Sequence, residues 1–293
     1  MAPVDDEFDL LEENRTEWGL PGPLPSRRRL FFPVEGLRHL SGLQWTDEPP
    51  QFLLLHGRGQ NAHTFDTTLL ALQRPALAVD LAHHGHSDPA PTGPSGVLEH
   101  AADVVTLLDS LGGEPVVLVG MSLGGLVSMV VAHERPERLR HLVLVDITPS
   151  IDGDRARAVL DFLDGPESFS SLDEMVERTI SHHPTRSASS LRRGVLHNAI
   201  RRPDGRWTWR HQQYPPALAS PATRPDLWPV LEEIPLPVTL VRGDRPPSVV
   251  RDEDVSEFRR RRPNDEVVTL HGGHSLQGDD PLELAAVLAR IAP

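Results

Sequence analysis

Short apolar segments recur along the chain and alternate with segments in which apolar residues return every three or four positions. Apolar runs rich in branched side chains suit strands covered on both faces, as in a parallel sheet. Such runs occupy residues 52–55, 76–80, 116–119, 142–146, 236–244 and 266–270. The helical period predicts helices over residues 62–73, 95–111, 123–135, 252–261 and 281–291. This alternation predicts an α/β fold with a mostly parallel sheet and helices on both faces.

Two stretches at the start of the chain have different patterns. Residues 27–34 and 37–45 read as edge strands, separated by the turn signal Glu35-Gly36. Residues 1–26 are acidic at first and then contain three prolines, which predicts a tail followed by an extended connector with no chemical role.

The alternation stops between residues 150 and 224, where we find no strong strand pattern. Polar helical stretches over residues 155–163 and 171–181 predict a helical cap inserted into the larger domain. The predicted organisation is therefore a tail (1–26), an α/β core (27–149 and 225–293) and a cap (150–224).

Composition narrows the class of protein. The 293 residues suffice for one large domain with an insertion, and the formal net charge of −13 argues against a nucleic-acid partner. The absence of cysteine excludes disulfides, thiolate metal sites and a cysteine nucleophile. Acidic residues near the first methionine and the lack of a run of roughly 20 apolar residues predict a cytoplasmic protein without a membrane partner. We expect a small-molecule substrate; the oligomeric state stays open.

The segment from Gly120 to Gly124 has the pattern G-x-S-x-G between a buried strand and a helix. In such a turn the serine backbone is strained and its hydroxyl stands above the sheet, which makes Ser122 a candidate nucleophile. The amide of Leu123, at the positive end of the helix, could donate to a developing oxyanion. A glycine-rich turn that merely packs tightly is the alternative.

Other candidate residues follow the ends of further strands. His56-Gly57-Arg58-Gly59 comes after one apolar run, and the main-chain N–H of Arg58 is a candidate second oxyanion donor. Gly57 and Met121 are expected beside the substrate. His274 follows the last strand and is a candidate base. The loop with His83, His84 and His86 is predicted near the mouth of the pocket, without metal, because carboxylate or thiolate ligands at suitable spacing are missing.

With these residues, the chain resembles the α/β-hydrolase superfamily over nearly its whole length beyond the tail. The motifs that carry the resemblance are residues 56–59, 80–88 and 120–124 together with Gly273-His274. The resemblance implies a mostly parallel eight-stranded sheet with a mobile helical cap. It also implies Ser122 as nucleophile, His274 as base, and the amides of Leu123 and Arg58 as oxyanion hole, without metal or organic cofactor.

The acid of such a triad has two candidates. Much of the family places an aspartate about three residues after the glycine that ends the strand before the last, but here proline holds that place. Asp244 comes one residue after Gly243, whereas Asp146 follows the strand next to the nucleophile strand, where other members have their acid. Asp146 is preferred, with Asp244 as the rival.

Trp207 and Trp209, with Tyr214, could wall an apolar acyl pocket or form the small core of the cap. Arginines at 192, 193, 201 and 202 could hold a substrate carboxylate or simply form a solvated face, since the chain has no lysine at all. We expect a carboxylesterase or lactonase. A carbon–carbon hydrolase of ring-cleavage diketones, or a small-ligand receptor that keeps the fold without turnover, are the alternatives.

Overall fold

The computed structural model describes residues 6–90, 96–150, 157, 161–183, 186–211 and 225–292. The strands are β1 Arg27–Val34, β2 Arg38–Trp45, β3 Phe52–Leu55, β4 Ala76–Asp80, β5 Val116–Met121, β6 Leu139–Val145, β7 Ala199–Arg201, β8 Trp207–Trp209, β9 Val238–Gly243 and β10 Glu266–Leu270. The helices are α1 Leu11–Glu17, α2 Asp66–Leu72, α3 Val97–Leu111, α4 Leu123–Glu134, α5 Leu172–His182, α6 Ala188–Asn198, α7 Trp228–Glu233, α8 Asp252–Arg261, α9 Leu276–Asp279 and α10 Pro281–Ile291. Short 3₁₀ turns at Ala62–Phe65 and Pro136–Arg138 precede α2 and β6.

Eight strands form one sheet in the order β1-β2-β4-β3-β5-β6-β9-β10. β2 pairs antiparallel with β1 and β4, and the remaining neighbours are parallel. The predicted α/β-hydrolase fold with its mostly parallel eight-stranded sheet is therefore confirmed. The carboxyl ends of the parallel strands meet at one edge, which is where this sheet topology places ligands.

Both faces of the sheet are covered by apolar layers. Because strand side chains alternate, Leu53 and Leu55 pack with α3, α4, α7 and α8, whereas Phe52 and Leu54 pack with α1, α2 and α10. All four β3 side chains are buried, as the continuous apolar run predicts. At roughly 25 cal/mol per Å² of apolar surface, these two layers are the main source of stability.

The predicted core elements are present with small changes at their ends. β2, predicted as an edge strand, lies inside the sheet because it pairs on both sides. The predicted helix over 62–73 starts as a 3₁₀ turn and becomes α-helical at Asp66. The four-residue helix α9 was not predicted, because one turn carries no periodic signal.

The predicted acidic tail contains a helix at residues 11–17, which corrects the prediction there, whereas residues 20–26 form neither helix nor strand. Residues 11–17 form α1, and Leu11 is only 1% exposed within the same apolar layer as α2 and α10. Asn14 Oδ1 accepts a hydrogen bond from Thr67 Oγ1 at 3.0 Å. Arg193 of α6 pairs with Glu13 at 2.9 Å and Glu17 at 2.6 Å, so the segment connects the core to the cap region.

The described part of the predicted cap region contains sheet as well as helix. β7 and β8 pair antiparallel around a turn at Asp204-Gly205, and Phe169 bridges to Trp207. α5, α6 and this hairpin enclose a small apolar cluster around Phe169 and Met175. The prediction of a purely helical insertion is thus corrected. Most of the predicted helix over 155–163 and all of residues 212–224, including Tyr214, lie outside the described residues.

Within the described ranges, no helix combines the length and apolar character needed to cross a bilayer.

Candidate active site

Ser122 lies at a sharp turn between β5 and α4. Its backbone has φ 51° and ψ −115°, a left-handed region that non-glycine residues rarely occupy. Glycines make the turn possible, because a Cβ at Gly120 would lie 2.6 Å from the Cα of Gly125 and one at Gly124 would overlap the carbonyl oxygen of Leu55. The strained turn raises the hydroxyl above the carboxyl end of the sheet.

His274 lies on the loop after β10 and contacts both neighbours expected of a base. Its Nε2 is 3.0 Å from Ser122 Oγ, and its Nδ1 is 2.9 Å from Asp146 Oδ2. The side chain is 8% exposed. Since an ionised carboxylate can only accept, Nδ1 carries the proton and Nε2 is left to accept from the serine hydroxyl. Asp146 and Ser122 precede His274 by 128 and 152 residues in the chain. The ends of three different strands bring the three side chains together.

Asp146 follows β6 directly and is fully buried. Both of its carboxylate oxygens accept hydrogen bonds from neighbouring groups. Oδ1 accepts hydrogen bonds from the Gly243 amide at 3.0 Å and from Ser248 Oγ at 2.6 Å. Oδ2 accepts from the Val249 amide at 2.9 Å besides His274. Such a set of donors offsets the cost of burying a carboxylate and fixes its orientation.

Asp244, the rival acid, lies elsewhere. It accepts hydrogen bonds from Nδ1 of His271 at 3.1 Å and from the Gly272 amide at 3.1 Å, and its side chain is 43% exposed. The hydrogen bond from His271 lowers the pKa of this carboxyl. Of the two candidates, Asp146 is the one in contact with His274.

The loop that follows β3 packs directly against the serine turn. A Cβ at Gly57 would lie 2.6 Å from Met121 Sδ and 3.2 Å from Ser122 Cβ, so a side chain here would displace Met121 or the loop itself. The Gly124 amide donates to the His56 carbonyl at 3.1 Å. Arg58 therefore follows a glycine in contact with the turn, and Leu123 is the first residue of α4.

The three-histidine loop supports this region from behind. His84 Nε2 accepts from the Gly59 amide at 3.1 Å, and His56 Nε2 accepts from the Leu81 amide at 3.0 Å. Burial lowers the pKa of both rings, which keeps these acceptors neutral. His83, His84 and His86 do not line the cavity themselves, but His84 contacts its wall through Gly59.

A cavity of about 810 Å³ opens above Ser122 and His274. Gly57, Arg58 and Met121 line it. Its lining also includes residues of the cap region and residues that flank α1, among them Leu10, Trp18, Phe162, Leu163 and Trp209.

The two tryptophans predicted at the substrate are separated by the structure. Trp209 lines the cavity and also packs edge-on against Phe169. Trp207 is not part of the cavity wall; it packs in the small apolar cluster around Phe169 and Met175, so its assignment to substrate binding is corrected.

Within the described residues, one group brings possible metal ligands together: His63, Asp66 and His197, with ligand atoms within 4.8 Å of one another. The two imidazole rings stack, with centroids 3.7 Å apart and planes inclined by 8°. A ring nitrogen binds a metal close to the plane of its ring, and one ion cannot lie in two parallel planes. The arrangement fits ring stacking and a hydrogen bond from His63 Nδ1 to Asp66 at 2.9 Å, and it does not fit a metal centre.

Sequence reasoning missed three features of the site. Ser248, which donates a hydrogen bond to Asp146, lies in the loop after β9. Proline replaces the usual acid in this loop, and that replacement was the one sequence feature that could have drawn attention to it. The contribution of α1 to the cavity wall had no signal beyond the apolar pair Leu10-Leu11. Arg186, a partly buried arginine of the cavity wall, could not be distinguished from the other arginines of the region.

The alpha/beta hydrolase family model matches residues 52–287, and the chain belongs to this family. It is 37% identical to the esterase Rv0045c of Mycobacterium tuberculosis, across 98% of this chain and 95% of that protein. A crystal structure of that esterase superposes with a TM-score of 0.82 at 35% identity, covering 99% of both chains. The lipase LipV of the same organism is 30% identical across 84% of this chain and 94% of its own length.

Proposed function

We propose that the protein is an esterase that hydrolyses small-molecule carboxylic esters through an acyl-enzyme on Ser122. The observation that carries the proposal is the continuous contact from Ser122 Oγ through His274 to Asp146, at 3.0 and 2.9 Å, at the floor of the cavity. The esterase and lipase names of the two relatives support the same chemistry.

In the proposed reaction, His274 Nε2 accepts the Ser122 hydroxyl proton while Oγ attacks the ester carbonyl carbon. Negative charge develops on the carbonyl oxygen, where the amides of Leu123 and Arg58 are the proposed donors. His274 then protonates the departing alcohol. Water, deprotonated by the same imidazole, attacks the acyl-enzyme and releases the carboxylic acid, which restores the serine.

Asp146 is the proposed orienting acid. Its bond to Nδ1 selects the tautomer that leaves Nε2 basic, and its charge stabilises the imidazolium that forms. Asp244 takes no part in this scheme, because its carboxylate is bonded to His271 and Gly272.

The two alternative functions, a carbon–carbon hydrolase and a receptor without turnover, have less support. Carbon–carbon cleavage has no support in the names of the two relatives, and the preassembled Ser122, His274 and Asp146 set disfavours a receptor without turnover. Catalysis without metal or cofactor, a cytoplasmic location and the lack of nucleic-acid and membrane partners stay predictions.

Hydrolysis of 4-nitrophenyl acetate and butyrate tests the proposal. We expect turnover by the wild type and a fall in kcat of roughly 10⁴- to 10⁶-fold in Ser122→Ala, since the triad acts as a unit. A fluorophosphonate probe should label Ser122, as located by peptide mapping. Ser256→Ala, on the exposed face of α8, is the matched control and should keep full turnover. Equal rates in Ser122→Ala and the wild type would refute the assignment.

A further inference from the structure

The cavity wall has a charge opposite to that of the whole molecule. The chain has a net charge of −13, yet the described cavity wall contains four arginines and three carboxylates. These residues are Arg58, Arg186, Arg193 and Arg245 with Glu17, Asp66 and Asp279. Positive charge in a concave, poorly solvated site raises the local concentration of anions.

Two of the three carboxylates are already matched. Glu17 pairs with Arg193 at 2.6 Å. Asp66 lies 2.9 Å from Nδ1 of His63. Burial lowers the pKa of this imidazole, but the neighbouring Asp66 and Glu7 outweigh burial and raise the pKa to about 9. The charged imidazole therefore balances Asp66. The remaining carboxylate of the wall is Asp279, beside Arg186.

The Arg186 guanidinium is partly buried and incompletely hydrogen-bonded. Its Nη2 donates to Ser190 Oγ at 3.0 Å, whereas its Nε is buried without an acceptor. Asp279 Oδ1 lies 3.8 Å from that Nε, beyond hydrogen-bond distance. The side chain is 21% exposed and lines the cavity. A partly buried guanidinium with an unpaired N–H on a cavity wall favours an incoming anion.

Asp279 is a weak counter-ion for Arg186. Its Oδ2 accepts from the Gly273 amide at 2.9 Å, and burial raises its pKa. Burial likewise lowers the pKa of Arg186, but guanidinium stays charged in proteins. The charge of Arg186 is therefore only partly balanced inside the fold.

The position of Arg186 connects it to the reacting groups. Its guanidinium lies against Gly278, where a Cβ would be 2.5 Å from Arg186 Cζ. Gly278 belongs to α9, which begins two residues after His274. Ser122, His274 and Arg186 all face one cavity of about 810 Å³, a size that suits a small substrate spanning them.

We propose that Arg186 binds a carboxylate of the substrate, so that the preferred substrates are esters that carry a free carboxylate besides the ester group. The inference rests on the proposed esterase activity and adds a substrate class to it. A guanidinium and a carboxylate form two parallel charge-assisted hydrogen bonds, and the poorly solvated wall strengthens them.

Two matched substrate pairs test the proposal and locate the carboxylate. The acyl-side pair is 4-nitrophenyl hydrogen adipate against its methyl ester, and the alcohol-side pair is 4-acetoxybenzoate against methyl 4-acetoxybenzoate. In the wild type we expect kcat/KM to be about 10- to 100-fold higher for the anion in at least one pair, mainly through KM. A wild type that hydrolyses the neutral esters equally well or better overturns the inference and leaves the esterase intact. No hydrolysis of any ester refutes the esterase itself.

Variants then assign the preference to Arg186. In Arg186→Met the ratio of anionic to neutral kcat/KM should fall about 10-fold or more, and Arg186→Lys should restore part of it. Arg259→Met, at an exposed arginine in the last turn of α8, is the matched control and should keep the wild-type ratio.

A folding defect would not obscure the result. Arg186→Met/Asp279→Asn removes both partly buried charges together and keeps an acceptor for the Gly273 amide. An unchanged ratio in either folded variant overturns the assignment to Arg186. If neither variant folds, the wild-type preference in the substrate pairs still decides whether the cavity selects carboxylates.

Discussion

At the scale of single residues, the environment of each carboxylate separates a functional aspartate from a turn residue. Asp146 and Asp244 both follow a strand and both contact a histidine. Asp146 is fully buried and accepts from two amides and a hydroxyl, whereas Asp244 is half-exposed on the outer loop. A charge held inside by several donors keeps its orientation, which is what an imidazole partner needs.

Substitution of the two aspartates should therefore have very different effects. We expect Asp146→Asn to lower kcat for 4-nitrophenyl butyrate by up to about 10⁴-fold, because an amide no longer selects the useful tautomer of His274. Asp244→Asn, the matched control, should stay within about threefold of the wild type. If Asp244→Asn is the more damaging change, or if neither lowers kcat by more than about tenfold, the assignment of the acid is incorrect.

Gly57 is a second position where a small change should matter. In Gly57→Ala the added methyl would lie 2.6 Å from Met121 Sδ and 3.2 Å from Ser122 Cβ, so either the Met121 side chain or the loop with the Arg58 amide must shift beside Ser122. A displacement of about 1 Å at a reacting centre can cost about 100-fold. We expect kcat/KM to fall by about 10- to 100-fold while circular dichroism shows a folded protein. Unchanged kinetics would contradict the expected disturbance of the reacting groups by the added methyl.

At the scale of elements, α1 is a structural part of the domain. It is seven residues long, too short to be stable alone, and is held by Leu11 in the core and by Glu13 and Glu17 on Arg193. Its sequence resembles a solvated acidic tail, because the partners that pair with its charges lie about 180 residues away. The hairpin β7–β8 was not predicted for a different reason. Its strands have three residues each, which is too short for a reliable strand pattern.

Removal of the Leu11 side chain tests this role of α1. We expect Leu11→Ala to lower the free energy of unfolding by about 2–4 kcal/mol, the usual cost of a buried leucine. Leu98→Ala is the matched control, because Leu98 is 55% exposed on α3 and should change stability by less than about 0.5 kcal/mol. Urea denaturation measures both. Equal stability of the two variants would mean that the N-terminal segment is not docked in solution.

At the scale of the whole molecule, buried neutral histidines connect folding to pH. Burial lowers the pKa of His56, lowers that of His84 well below its usual value, and lowers that of His100 to about 3. Their unfolded value is 6.5, so below pH 6.5 the unfolded chain binds protons that the folded protein does not. Stability should therefore fall as the pH drops from 6.5 towards 5, a range above the unfolded pKa of carboxyl groups.

Urea unfolding between pH 7.5 and 5 measures this dependence. Each such histidine contributes a slope of about 1.4 kcal/mol per pH unit below 6.5. In His100→Gln the slope between pH 6 and 5 should decrease by about that amount, whatever the substitution does to stability at neutral pH. A slope identical to that of the wild type would contradict the assignment of a neutral buried imidazole.

Local patterns were enough to predict the sheet, its flanking helices, the serine turn and the place of His274. Strand and helix periodicity, glycine at 120 and 124, and proline at helix ends act over a few residues, so the sequence displays them directly. The choice between Asp146 and Asp244, the docking of α1, the separation of Trp207 from Trp209 and the exposure of Arg186 to the cavity depend on contacts between distant segments. Only the tertiary structure decides these, because burial and hydrogen-bond partners come from the packing of the whole chain.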